Sequence, residues 1–497
     1  MVLLLVATLS AGGAEVRLID AVKAGNADAV RALLKQPAPA NDVNAAEPDG
    51  TTALHWAVRA DDQDVVQLLL RAGARPNVAN RYGVTPISLA AGNANASLVE
   101  MLLAAGADAN TSLPQGETVL MTAARTGSPQ AVTALLDHGA KVDAKDDRLG
   151  ETALMWAAAH NHPEVIRLLI AHGAPVDSRS TPLEYAKDRF GLEGVLTILP
   201  RGNWTPLMYA AREGAVEATR ALAEAGADLN LTDPEQTSAL LRAIVNVHYD
   251  VAGVLVEHGA DPNLADSANM AALYAVAEME TIGEIYGRPA RQFTDKLDGV
   301  ALVKLLLAHG AKPNTQLRTS TIQKNHTPGE GSLGNGATPL MRAAKGGDYR
   351  IMQALLEAGA DPTIRQNNGA TALMIAAGLG RGLGAFQKDV GTEDDMFRSV
   401  KLCLERYVDP NVANDAGQTA LHFAVRTGDA IVKLLAEKGA TLDVKDRQGR
   451  TPLDYARGVG VRGRAGGGVP VRDSTVALLS KLLAQQGKPV AESAKAD

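Results

Sequence analysis

A short signature recurs along this chain, and its spacing returns to 32 or 33 residues after every interruption. It is usually Gly, then Thr two residues on, Leu four on and Ala seven on, and most copies close with Gly-Ala 23 residues after the start. The starts are Gly50, Gly83, Gly116, Gly150, Asn203, Gln236, Asn269, Gly336, Gly369, Gly417 and Gly449. Successive gaps are 33, 33, 34, 53, 33, 33, 67, 33, 48 and 32 residues. A length of 497 residues would ordinarily suggest roughly three domains. A fixed period implies instead stacked copies of one supersecondary unit, each touching only its neighbours.

One copy, from Gly50 to Gly83, shows the local physics. Gly50 permits a tight turn. Thr52 stands where a helix N-cap belongs, and in four other copies the next residue is Pro, as in Thr85-Pro86, Thr205-Pro206, Thr338-Pro339 and Thr451-Pro452. Proline suits the first helical position because its missing N–H would be unpaired there anyway. Leu54, Ala57 and Val58 carry helical spacing, and Val65, Val66, Leu68, Leu69 and Leu70 form the apolar stripe of a second helix. Gly73-Ala74 ends it, glycine being the residue that accepts a left-handed C-cap. Asn77 opens the next turn, with Asn or Asp at Asn110, Asp143, Asp177, Asn230, Asn263, Asn314, Asn411 and Asp443.

Written out as TTALHWAVRADDQDVVQLLLRAGARPN, this unit resembles the ankyrin repeat, with its Thr-Pro-Leu-His, paired alanines, apolar second helix and Gly-Ala. The resemblance covers residues 15 to 485, counting 15 to 46 as a first unit without the opening turn. It implies an all-α solenoid of about twelve helix pairs with short β-hairpin fingers. It also implies a concave face that binds proteins. Two departures stand out. The family's His is kept only at His55 and His422, with Met at Met121, Met155, Met208, Met341 and Met374, so the slot reads as a packing position. Ala271 replaces the Thr cap, so the following helix should start less firmly.

The long gaps locate insertions at about 178–202, 281–298, 315–335 and 381–396, and a Gly-rich stretch marks another at about 459–472, followed by a polar tail, 486–497, expected to be disordered. None reaches the roughly 50 residues of a small independent domain. Residues 181 to 199 (TPLEYAKDRFGLEGVLTIL) read as a short helix or strand. Val2 to Leu9 is a short apolar run followed by small residues to Ala14, which reads as the end of a secretory signal over 1–14, although it lacks a positive n-region. The alternative is an apolar cap packed on the first repeat. On the first reading the protein is periplasmic or secreted, on the second cytoplasmic. No other stretch approaches the length needed to span a bilayer.

The chemistry-bearing residues mostly obey the repeat. A net charge of −7 argues against neutralising phosphate backbones, so no nucleic-acid partner is expected. Cys403, the single cysteine, falls in the apolar slot of a second helix. His138, His172, His258 and His309 precede the closing Gly-Ala, near a helix C-terminus where a cation is welcome. His160 and His162 have no evident third ligand. GLGRGLG, 378 to 384, lacks the context of a phosphate loop, and no GxSxG elbow occurs. The expectation is therefore no catalytic, cofactor or metal site, and a monomer. An enzyme with its site in the insertions is the reading of another class.

One pattern rises above this regularity. Nine residues after the start stand Arg59, Arg125, Arg212, Lys345 and Arg426, with Lys23 equivalent in the first unit. The resemblance places that slot on the concave face, as a broken positive stripe. The bland alternative is a basic side chain that caps its own helix. Trp56, Trp156, Tyr209 and Phe423 share the slot at six and read as inter-repeat packing, whereas Tyr82 and Trp204, on the fingers, are candidate exposed contacts for a protein partner.

Overall fold

The computed structural model describes residues 17–36, 42–182, 202–281, 295–319, 333–380, 391–459 and 471–488. The proposed signal segment lies outside them, as do most of the 178–202 insertion, the first ten residues of 381–396 and the central parts of the other three. The chain divides into two units, Met1–Thr181 with Glu224–Ala227, and Pro182–Ala223 with Asp228–Asp497. Each is a series of antiparallel helix pairs.

In the first unit, five pairs follow one another: Leu18–Lys23 with Ala27–Leu33, Ala53–Arg59 with Gln63–Arg71, Pro86–Gly92 with Ala96–Ala104, Val119–Thr126 with Pro129–Asp137, and Ala153–Ala159 with Pro163–Ala171. First helices pack on first helices and second on second. The core is what the pattern demanded. Leu54, Ala57, Val58, Val65, Val66 and Leu69 are all buried. The alanines let neighbouring first helices approach, and each buried Leu or Val contributes about 1.5–3 kcal/mol relative to an exposed one.

The second unit continues with seven pairs. They begin Pro206–Glu213 with Val216–Glu224, Ala239–Val245 with Tyr249–Glu257, and Ala272–Thr281 with Gly299–Ala308. Then come Pro339–Gly346 with Tyr349–Glu357, Ala372–Ala376 with Glu393–Glu405, Ala420–Thr427 with Asp429–Glu437, and Pro452–Ala456 with Asp473–Gln485. The helix after Ala271 forms without its Thr cap and runs ten residues, most of them buried, so packing replaces what the cap would supply. Residues 393–396, counted above in an insertion, instead open a 13-residue helix. Thr392 and Asp395 cap it reciprocally and Met396 is buried. At the end of the chain, Lys488 pairs with Asp443, so the first residues of the expected tail are held.

The fingers are more modest than hairpins. Among the described residues the strand pairing is reduced to isolated antiparallel bridges, such as Ala46 with Thr52 and Ser112 with Thr118. Neighbouring fingers are joined by single backbone hydrogen bonds, as from Arg81 N–H to the Asp49 carbonyl (2.8 Å) and from Asp147 N–H to Gln115 (2.9 Å).

The Asn that opens each finger has a larger part than a turn residue. Asn77 donates through Nδ2 to the Gly106 carbonyl (2.7 Å) and accepts at Oδ1 from Asp108 N–H (2.8 Å). Asn44 and Asn110 in the first unit do the same one repeat earlier and later. Asn263, Asn314 and Asn411 repeat it in the second. Each amide satisfies both a carbonyl left open at the end of the next unit's second helix and the N–H beyond it. This clamp fastens one repeat to the next.

Candidate protein-binding face

The end of each first helix gathers the residues singled out by the repeat. In the first unit, Trp56 is half-buried and donates its indole N–H to Glu47 Oε2 (2.7 Å), while Lys23 binds Glu47 Oε1 (2.9 Å). Lys23 Nζ lies 4.6 Å and the Arg59 guanidinium 5.3 Å from the centre of the Trp56 ring. The slot at nine in one unit and the slot at six in the next therefore meet. The same contact recurs between Arg125 and Trp156, at 5.6 Å. A cation over an aromatic face contributes about 0.5–1 kcal/mol at an exposed site. It also holds a long side chain in place. Arg59 and Arg125 are both exposed, and Arg125 Nη2 also lies 4.0 Å from Glu117 Oε1.

In the second unit Arg212 is half-exposed and stacks near Trp204 (5.1 Å) and Tyr209 (5.5 Å), with Glu213 at 2.6 Å. Trp204 is only half-exposed, unlike the finger contact expected of it. Arg242 lies 3.9 Å above its ring and is paired with the buried Asp233 at 2.5 Å. Arg242 occupies the slot at six, and nothing in that slot's other residues signalled it. Burial holds the Arg242 pKa below the usual arginine value. Arg426 is half-buried, and burial likewise lowers its pKa. Lys345 departs furthest. It is 7% exposed, with Nζ 3.5 Å from the Leu379 carbonyl, so it is not available as part of an open stripe. Tyr82 is 55% exposed on its finger, with the Arg81 guanidinium 4.7 Å from its ring.

The histidines have structural duties. His55 Nδ1 accepts from Thr52 N–H (3.2 Å) and Nε2 is 3.0 Å from the Val84 carbonyl of the next finger. His422 does the same with Thr419 (3.0 Å) and Arg450 (3.3 Å). The slot is thus a capping position as much as a packing one. Ser88 and Asp454 also accept there from Thr85 and Thr451. Even Met121 Sδ receives Thr118 N–H, at 3.4 Å. The signal was readable, as Thr followed three residues later by an acceptor is a capping box. His138, His172 and His258 place Nδ1 2.8 Å from the carbonyl four residues back, at a helix end. Cys403 is fully buried, and burial pushes its thiol up to about 12, far from a reactive thiolate. Among the described residues no His, Cys, Asp or Glu group is arranged to hold a metal ion, and no helix is long and apolar enough to cross a membrane.

The family profile described as ankyrin repeats (3 copies) matches residues 18–112, 87–180, 120–202, 183–266, 296–383 and 392–459. The chain belongs to the ankyrin-repeat family. Its curated relatives include the Arabidopsis thaliana E3 ubiquitin-protein ligase KEG, 26% identical over 49% of this chain and 15% of that protein. The Bos taurus mitochondrial disaggregase is 34% identical over 36% of this chain and 22% of its own length. A Caenorhabditis briggsae ankyrin repeat and KH domain-containing protein is 29% identical over 51% of this chain and 10% of its own. The chain therefore spans less than a quarter of the length of these relatives. Among solved structures, the ankyrin repeat domain of Bcl-3 matches at 26% identity and TM-score 0.38, over 46% of this chain and 94% of that one.

Proposed function

We propose that this chain is a non-enzymatic scaffold that binds a partner protein along the ends of its first helices. The observation that carries this reading is the pairing of exposed arginine with half-buried tryptophan, Arg59 on Trp56 and Arg125 by Trp156. Arginine and aromatic residues dominate the energetics of protein interfaces. An arginine already held against a ring loses less side-chain freedom on binding than a free one. The family's concave recognition surface supports placing the partner there, with Tyr82 and Arg212 as further contacts. Ubiquitin ligation and disaggregation belong to the named relatives, of which the matched segments are a small share. If residues 1–14 are a cleaved signal, the partner meets this chain outside the cytoplasm, and mass spectrometry of the mature protein decides it.

The test is charge reversal. The reading predicts that Arg59→Glu with Arg125→Glu weakens capture of partner proteins from native lysate at least tenfold, or about 1.4 kcal/mol, while circular dichroism and the unfolding temperature stay near wild type. Unchanged capture by the folded double variant would remove this face from the account.

A further inference from the structure

Arg342 has the largest fully buried side chain among the described residues, at 2% exposure, and its Nε has no hydrogen-bond partner. It stands six residues after Gly336, on the Pro339–Gly346 helix, in the slot that holds Trp56 and Trp156 in the first unit. Arg242 shows how this fold accommodates an arginine there. Its partner, Asp233, comes from three residues before the start of its own repeat, at Gln236. Arg450 near the end of the chain also pairs with an aspartate in that finger position, Asp446, three residues before Gly449. The corresponding residue before Gly336 is Leu333, which is apolar and buried. The counter-charge is missing from the place where the fold elsewhere supplies it.

A guanidinium does not deprotonate to escape burial. Taken out of water without an anion, it costs several kcal/mol. Lys345 lies one helical turn further on the same face and is also buried, whereas the preceding first helix contributes one buried carboxylate, Glu278.

We propose that Arg342 is an oxyanion-binding residue. Its planar N–H fork matches the two oxygens of a carboxylate or phosphate. The site is distinct from the arginine–tryptophan pairs of the first unit and does not rest on their reading.

The experiment is thermal unfolding of the full chain at pH 7.5 and constant ionic strength, in sodium chloride, sodium phosphate or sodium succinate. Anything that binds only the folded state raises its unfolding temperature by mass action. The expected result is a saturable rise in phosphate or in succinate over chloride, and the salt that responds assigns the phosphate or carboxylate class. Arg342→Met should abolish that rise and unfold in chloride at or above the wild-type temperature, because it removes an unpaired buried charge. The proposal is overturned if neither anion shifts wild type, or if Arg342→Met keeps the shift. It is equally overturned if Arg342→Met unfolds well below wild type in chloride, since the arginine would then have its partner within the protein.

Discussion

Single side chains reinforce the connections between repeats, and two of them give direct tests. Asn77 makes a pair of hydrogen bonds to the backbone of the following unit, at 2.7 and 2.8 Å. Asn77→Ala leaves a helix-end carbonyl and an N–H without partners, and chemical denaturation should show a loss of about 1–3 kcal/mol. Asn77→Asp keeps the acceptor but has no N–H to offer, so an intermediate loss is expected. Asp143 and Asp443, in the same slot of other repeats, face that limit already. The capping histidines add a pH dependence. Nδ1 of His55 accepts from a backbone N–H, so its proton sits on Nε2 and the ring is neutral. Burial lowers the pKa of His55 and His422 below the usual histidine value. Unfolding therefore takes up protons in the window just below about 6.5. The stability these rings contribute is complete above that pH and is lost as pH falls towards their folded values. Urea midpoints from pH 8 to 5 should show the advantage of wild type over His55→Gln, His422→Gln shrinking below about 6.5. A constant difference would contradict the assignment. A second acid-side window belongs to Asp446. Burial alone would raise its pKa, but Arg450 and Tyr455 hold it down at about 2. Its contribution persists above the ordinary carboxylate range and disappears only as pH falls towards 2.

At the scale of the helix, the closing Gly shows what a cap is worth. Gly73 holds φ at +90°, and seven equivalents from Gly106 to Gly359, as well as Gly439, are similar. Tyr407 occupies the same place at φ +59° and is 97% exposed. A bulky residue in the left-handed region costs about 1–2 kcal/mol. Tyr407→Gly should therefore stabilise the protein by about 1 kcal/mol, less the entropy that glycine adds to the unfolded chain. The helices were legible in the sequence because their determinants lie within one repeat: Thr at the cap, Leu and Ala on one face, Gly at the close. The ten-residue helix after Ala271 shows the limit, since burial against neighbouring helices secured what the missing cap did not. The fingers were less legible. Their pairing shrinks to single bridges because the polar atoms of Asn and Asp side chains, such as Asn80, take N–H groups that a hairpin ladder would use. The burial of Lys345 was not legible for a related reason, as its slot predicts direction but not what lies over it. Arg242, Arg342 and the Asn clamp all depend on contacts about one repeat away or on a missing one, which a pattern within one unit does not encode.

Across the molecule, stability should be nearly a sum of local terms, because each helix pair buries its apolar face only against the pairs beside it. This explains how long insertions interrupt the period without ending it, as loop closure costs grow slowly with length. It also lets side chains at the ends of the first helices vary without a shared central core being disturbed. The most direct test is hydrogen–deuterium exchange, read by mass spectrometry, on Leu135→Ala in the Pro129–Asp137 helix. Leu135 is fully buried, and its truncation should cost about 2–5 kcal/mol. The account predicts faster exchange in the Val119–Asp137 pair and in its neighbours, 86–104 and 153–171, with 18–33 unchanged. Uniform acceleration through all five pairs of the first unit would mean one common core and would contradict it.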